Sequence, residues 1–337
     1  MMDKRIARAW FLLFRPWSYT ATIVPFLLGA ALVSYACRPD GWWRWAAGLA
    51  TGLLFQATVN QLNTWGDERS GVDDVPGAIR TTPQVHDGLV SMRAVFSAAA
   101  VCALLAGALG VTLCFYRDGN AVLRFNWPLL VAGFIGFLGS TNYSTGIKFK
   151  YRGLGVPFVS FLMGPLETFV AFALLAPDVT CELLEKLVRT HDLPLCGIVA
   201  AEFFFFTLPV AALVGVIMHG NDMRDIPTDR AAGIVTFASR LGATGALCYY
   251  RICHVVPYVI CGFLALIAGS AGWVFLLPLL SLPLTVRTLR TASRVYRENP
   301  ECPKWRGLER ASGGIHFFFG ILYAGALALF GLVSQLP

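Results

Sequence analysis

The chain has 337 residues, of which 56% are hydrophobic and only 14% charged, with a formal net charge of +7 and a mean hydropathy of +0.62. Soluble domains carry about 25% charged residues, so the composition excludes an ordinary water-soluble protein and predicts one polytopic membrane domain over residues 1–337. Nine scattered cysteines form no CxxC pair and no Cys/His spacing suited to a metal, and most read as small buried hydrophobes.

The N-terminal stretch begins with Lys4, Arg5 and Arg8 and then turns apolar. Its length, with further apolar runs behind it, predicts a retained first helix rather than a cleaved signal peptide. Nine spans follow from the apolar runs: residues 17–36, 45–65, 94–116, 127–145, 154–176, 195–219, 243–268, 272–289 and 313–334. The fold class expected is therefore all-α, with nine transmembrane helices.

Basic residues orient this bundle. With the N-terminus in the cytoplasm, twenty Lys and Arg fall in cytoplasmic segments and six in outer ones, while Arg251 lies within a span. That asymmetry is the positive-inside signature. It accounts for the positive charge without nucleic acid, and it puts the C-terminus outside. The basic segment from Arg294 to Arg310 suits contact with anionic lipid at the inner leaflet. A bacterial inner membrane is the expected location.

Unusual polar sequence gathers on the cytoplasmic side only. After the second span comes NQLNTWGDERSGVDD, after the fourth GIKFKYRGLG, and after the sixth HGNDMRDIPTDR. Residues three and four apart share one face of a helix. Asn221, Asp225 and Asp229 follow that spacing, with Asp222 three before Asp225; Asn60, Asn63 and Asp67 repeat it, with Asp73 and Asp74 further on. Crowded carboxylates repel one another unless positive charge lies between them. Magnesium prefers oxygen ligands and is usually held by a few carboxylates plus substrate phosphates. Two such stripes face to face would hold Mg²⁺ and, through it, a diphosphate. Lys148, Lys150, Arg152 and Arg224 would take the remaining phosphate oxygens, and Asn60 and Arg69 stand on either side of Asn63 and Asp67 in sequence. Solvated helix ends, or a carboxylate pair in a proton-coupled transporter, are the competing readings. Glu167, within the fifth span, is an intramembrane carboxylate and reads equally as a functional or a paired structural group.

Three stretches carry a resemblance. NTWGDERSGVD (63–73), YRGLGVPFVSFLMGP (151–165) and NDMRDIPTDRAAGIVTFASRLG (221–242) resemble, in order, the motifs of the UbiA superfamily of intramembrane prenyltransferases. Within it they are most similar to the 1,4-dihydroxy-2-naphthoate polyprenyltransferase (MenA-type) branch. RPWSYTATIVPFLLGAAL (15–32) resembles the family's first helix. The resemblance implies helices around a central cavity, and Mg²⁺-dependent transfer of a polyprenyl group from an isoprenoid diphosphate to an aromatic acceptor. That acceptor is expected to be 1,4-dihydroxy-2-naphthoate; a hydroxybenzoate, a tetrapyrrole or a lipid headgroup, or a non-enzymatic scaffold on the same fold, are the alternatives. Carried over by position, the metal set is Asn63, Asp67, Asp73, Asp222, Asp225 and Asp229. The substrate-binding set is Asn60, Asn63, Arg69, Lys148, Tyr151, Arg152, Asn221 and Arg224, and the catalytic set is Asp67, Asp225, Arg152 and Lys148. The chain departs from the family pattern at Thr64, where Asp is usual, and at Ile234, where Lys is usual.

Overall fold

The computed structural model describes residues 4–37, 39–70, 83–190 and 193–334. Asp73 and Asp74 lie outside the described residues. The chain opens with α1 (Lys4–Phe14), then a 3-10 turn (Pro16–Tyr19), α2 (Thr20–Ala36), α3 (Trp42–Ser70), the short α4 (Pro83–His86) and α5 (Met92–Leu113). A two-stranded antiparallel ribbon, β1 (Phe115–Arg117) and β2 (Leu123–Phe125), leads into α6 (Trp127–Ser144). Next come α7 (Gly155–Phe161), a π turn (Leu162–Leu166), α8 (Glu167–Leu175), α9 (Pro177–Thr190) and α10 (Leu193–Ala231). The chain ends with α11 (Phe237–Ile267), a 3-10 stretch (Gly269–Ser281), α12 (Leu282–Glu298) and α13 (Leu308–Val333).

The all-α class holds. Among the described residues, seven helical segments are long and apolar enough to cross a bilayer, so the chain is an integral membrane protein. The other two expected spans correspond to α3 and α6. Both are helices at the expected places, but each ends in polar residues, QLNTWGDERS in α3 and STNYS in α6, which lower their hydropathy. Large apolar side chains such as Leu104 on α5 and Leu266 on α11 stand exposed, as lipid-facing positions do.

Helices run further than the apolar runs suggest. α3 continues to Ser70 and α10 spans 39 residues to Ala231, so both acidic stripes lie on helix rather than in loops. α12 continues the eighth span to Glu298, which puts Arg294 and Arg297 on a helix instead of in a loop. The ribbon between α5 and α6, and α9 beyond it, fill outer segments expected to be plain loops.

Two devices hold the bundle where the site needs it. Gly29 brings α2 against α8: a Cβ there would lie 2.6 Å from both the Ala171 Cβ and the Thr168 carbonyl oxygen. At the other end of the bundle, Arg44 is buried and donates to two helix-end carbonyls, Leu174 O at 3.2 Å and Leu113 O at 2.6 Å. It satisfies acceptors that the C-termini of α8 and α5 leave open. The main core forms where α2, α10, α11 and α13 meet, around Leu28, Leu213, Tyr250, Phe275, Phe319 and Tyr323.

Gly29→Val is expected to lower the thermal unfolding midpoint in detergent, with an overpacking cost of about 1–3 kcal/mol. Gly262→Ala, at a position with no heavy atom within 4 Å of the added carbon, is expected to leave the midpoint unchanged or raise it slightly.

Candidate active site

The last turns of α3 place one acidic stripe. Asn60 donates through Nδ2 to Phe14 O at 2.8 Å and Ser18 Oγ at 3.0 Å. Ser144 Oγ donates to Asn63 Oδ1, where Gly66 lets the end of α6 approach: a Cβ there would meet Ser144 at 3.0 Å. Thr64, at the position where the family pattern has Asp, accepts from Arg15 Nη2 at 3.3 Å.

Asp67 is buried, and its Oδ1 accepts from Lys150 Nζ at 2.6 Å and Tyr151 OH at 2.7 Å. The side chains of Lys150 and Asp67 are only 20% and 10% exposed, so the pair is largely removed from water. Burial alone would lower the Lys150 pKa; the Asp67 carboxylate, with Tyr151 and Tyr143, outweighs it and holds the ammonium well above the usual lysine range.

The second stripe lies on the end of α10. Asp225 forms a two-pronged pair with Arg224, Nε to Oδ1 at 2.7 Å and Nη2 to Oδ2 at 2.6 Å. Arg224 Nη1 also reaches Glu309 Oε1 on α13 at 3.5 Å. Asp229 Oδ2 accepts from Thr236 Oγ1 at 3.0 Å. Asp222 and Asp229 are buried and form no ion pair among the described residues. Both lie within electrostatic range of Lys150, and Asp229 also of Asp67. The two stripes therefore converge, with Lys150 between them. Arg240 Nη2, donating to Arg152 O at 3.0 Å, and a bridge between Arg152 and Val235 tie the two loops together.

Not every residue picked from sequence joins this cluster. Lys148 occupies a left-handed position (φ +59°) at the start of the 3-10 turn Phe149–Tyr151 and is exposed. That turn carries Lys150 and Tyr151 inward instead. Arg152 is exposed and contributes its backbone carbonyl. Arg69 is exposed and stacks over the Trp65 ring at 4.7 Å. Asn221 and Arg224 line the cavity described next. Sequence reasoning underrated Lys150 because the family match falls on Lys148. It missed Glu309 altogether, for no motif on α13 marks that residue.

Below the acidic cluster a cavity of about 1060 Å³ runs between the helices. Its polar end holds Arg15, Ser18, Asn60, Asn63, Asn221 and Arg224. The remainder is mostly apolar, walled by residues such as Phe55, Phe134, Phe137, Leu162, Met163 and Val170, with Thr51, Gln56, Ser140 and Glu167 among them.

The donor set suits magnesium. Carboxylates and amide oxygens are the hard ligands it prefers, and buried Asp222 and Asp229 lie within range of each other with no ion pair to either among the described residues. Among the described residues, no three His, Cys, Asp or Glu side chains stand close enough to hold a metal unaided. Magnesium sites completed by substrate phosphates have that character.

The UbiA prenyltransferase family matches residues 22–322. The chain belongs to that family. It is accordingly a transferase. A Drosophila melanogaster relative, UbiA prenyltransferase domain-containing protein 1 homolog, is 29% identical over 337 residues, covering 98% of this chain and 81% of the relative. The Homo sapiens UbiA prenyltransferase domain-containing protein 1 is 28% identical over 326 residues, covering 94% of this chain and 83% of the relative. The fold is shared with a UbiA homolog from Archaeoglobus fulgidus solved with GPP and Mg²⁺, at a TM-score of 0.59 and 14% identity over 95% of this chain and 99% of that one.

Lys150→Met is expected to destabilise the protein by the lower end of the about 3–5 kcal/mol typical of broken buried pairs, because Tyr151 still donates to Asp67. Lys148→Met, on the exposed loop, is expected to change the unfolding midpoint by less than a degree.

Proposed function

We propose that the chain transfers a polyprenyl group from an isoprenoid diphosphate to an aromatic acceptor, with Mg²⁺ and the diphosphate held between the α3 and α10 stripes. The observation that carries this reading is the convergence of Asp67, Asp222 and Asp229 on Lys150 at the mouth of a long apolar cavity. Asn63, Asp67, Asp222, Asp225 and Asp229 are the residues that would hold the metal, and Asp73 completes the set by its place in the motif. Magnesium there would neutralise charge growing on the departing diphosphate.

The chain's own groups do the rest. Lys150, Tyr151 and Arg224 take phosphate oxygens and stabilise the same charge where it develops. In this reading Lys150 has the part that the sequence assigns to Lys148. Asn60, Asn63 and Asn221 line the polar end of the cavity, where they orient the diphosphate and the acceptor. The allylic C–O bond breaks and its electron pair leaves with the diphosphate. An electron-rich carbon of the acceptor then bonds to the allylic carbon, and the ring loses a proton. The apolar walls exclude water, which would otherwise capture the cation.

Support for 1,4-dihydroxy-2-naphthoate as acceptor comes from the three motif stretches. The relatives bear a different name from that branch, so other bicyclic phenols belong in the test. The relatives reported above are animal proteins, and a eukaryotic membrane therefore suits the reading better than the bacterial inner membrane expected from sequence. The placement of the site on the cytoplasmic side rests on the asymmetry of basic residues. The whole chain acts as one catalytic domain.

The test is purified protein with Mg²⁺, a labelled prenyl diphosphate and a panel of phenols, with products identified by mass. Prenylated phenol and free diphosphate are expected together, and both cease when the metal is chelated. Asp67→Asn and Asp225→Asn are expected to lose at least about 10²-fold in turnover. Transport of substrate without diphosphate release would overturn the assignment.

A further inference from the structure

Glu167 has no part in the chemistry above, yet it lines the same cavity. Its Oε2 atom is buried and has no hydrogen-bond partner. It follows directly on the π turn Leu162–Leu166, an interruption of regular helix found frequently at functional sites. That turn is fixed from outside: a Cβ at Gly164 would lie 2.5 Å from the Ala211 Cβ. Beyond it, Gly29 on α2 clamps α8. The carboxyl group is thus held rigidly, with the apolar lining residues Phe26, Leu166 and Val170 around it.

Its depth can be read along α3. A Cβ at Gly52 would lie 2.9 Å from Thr22 Cγ2, 3.2 Å from Phe26 Cε2 and 3.6 Å from Glu167 Oε1. Gly52, Thr22 and Glu167 therefore stand at one level. Gly52 and Asp67 are separated by fifteen residues of α3, about 22 Å at 1.5 Å per residue. An extended carbon chain advances roughly 1.2 Å per bond, so four isoprene units of four bonds each cover nearly that distance. The cavity does not stop there: Gly48, Leu113, Leu129 and Leu174 line it beyond the carboxyl.

We propose that Glu167 forms a polar collar in the tail channel that discriminates against prenyl chains longer than about four units. A shorter tail ends below the collar. A longer one must lie against a carboxyl, stripping it of any solvation and giving no hydrogen bond in return. The collar selects by chemistry rather than by blocking, because open channel continues past it. This inference rests on the prenyl diphosphate reading of the site.

The test is binding and turnover of prenyl diphosphates of three, four, six and eight units, with non-reactive thiodiphosphates for the binding arm. Binding is read as the ligand-induced rise in unfolding temperature, titrated in detergent with Mg²⁺. Wild-type affinity is expected to fall at least tenfold between four and eight units. Glu167→Leu is expected to shrink that ratio to threefold or less, and Glu167→Gln, still polar, to keep most of it. Should the leucine variant fail to fold, Glu167→Met carries the same expectation. A wild-type profile with no break after four units, or an unchanged break in the apolar variant, overturns the collar. Length-dependent binding without transfer to any phenol would leave the collar standing and sink the proposed reaction instead.

Discussion

The Lys150–Asp67 ion pair is the contact on which the polar end of the bundle is organised. It joins the tip of α3 to the loop after α6, and that loop is tied in turn to the start of α11 through Arg152. Its ammonium also faces the carboxylates of α10. Removing two charges from water costs several kcal/mol each, and only close geometry with further hydrogen bonds offsets that cost. Tyr151 supplies one such bond to the same carboxylate oxygen. A pair of this kind is weak support for stability in itself. What it provides is register: it fixes two acidic helix ends and a basic turn around one point.

That point lies at the junction of two dielectric regimes. On one side are carboxylates, amides and guanidinium groups; on the other is an apolar cavity within a lipid-facing bundle. A substrate with a highly charged head and a long apolar tail matches that boundary. The physical problem of prenyl transfer, a carbocation that must meet its acceptor before water, is met by the same arrangement. Close helix crossings at Gly29 and Gly164 leave the cavity walls little freedom to collapse.

Much of this was legible in the sequence because it is written in short periods. Spacings of three and four fixed the stripes Asn60–Asn63–Asp67 and Asn221–Asp225–Asp229, and hydropathy fixed the helices. Helix ends were less legible, since α3, α10 and α12 outrun their apolar segments and polar helix looks like loop. The choice between Lys148 and Lys150 was beyond periodicity. It depends on a left-handed residue followed by a 3-10 turn, which reverses the side a neighbouring lysine faces. Glu309 and the level of Glu167 depend on which helices touch across the bundle, and no local pattern encodes that.

The most direct measurement is electron–nuclear double resonance on the protein loaded with Mn²⁺ in place of Mg²⁺ and a non-reactive prenyl diphosphate analogue. A phosphorus hyperfine coupling to the metal is expected in the wild type, and it is expected to vanish in Asp67→Asn and in Asp229→Asn alike. Persistence of that coupling after either stripe alone has lost its carboxylate would contradict a single metal–diphosphate site shared by α3 and α10.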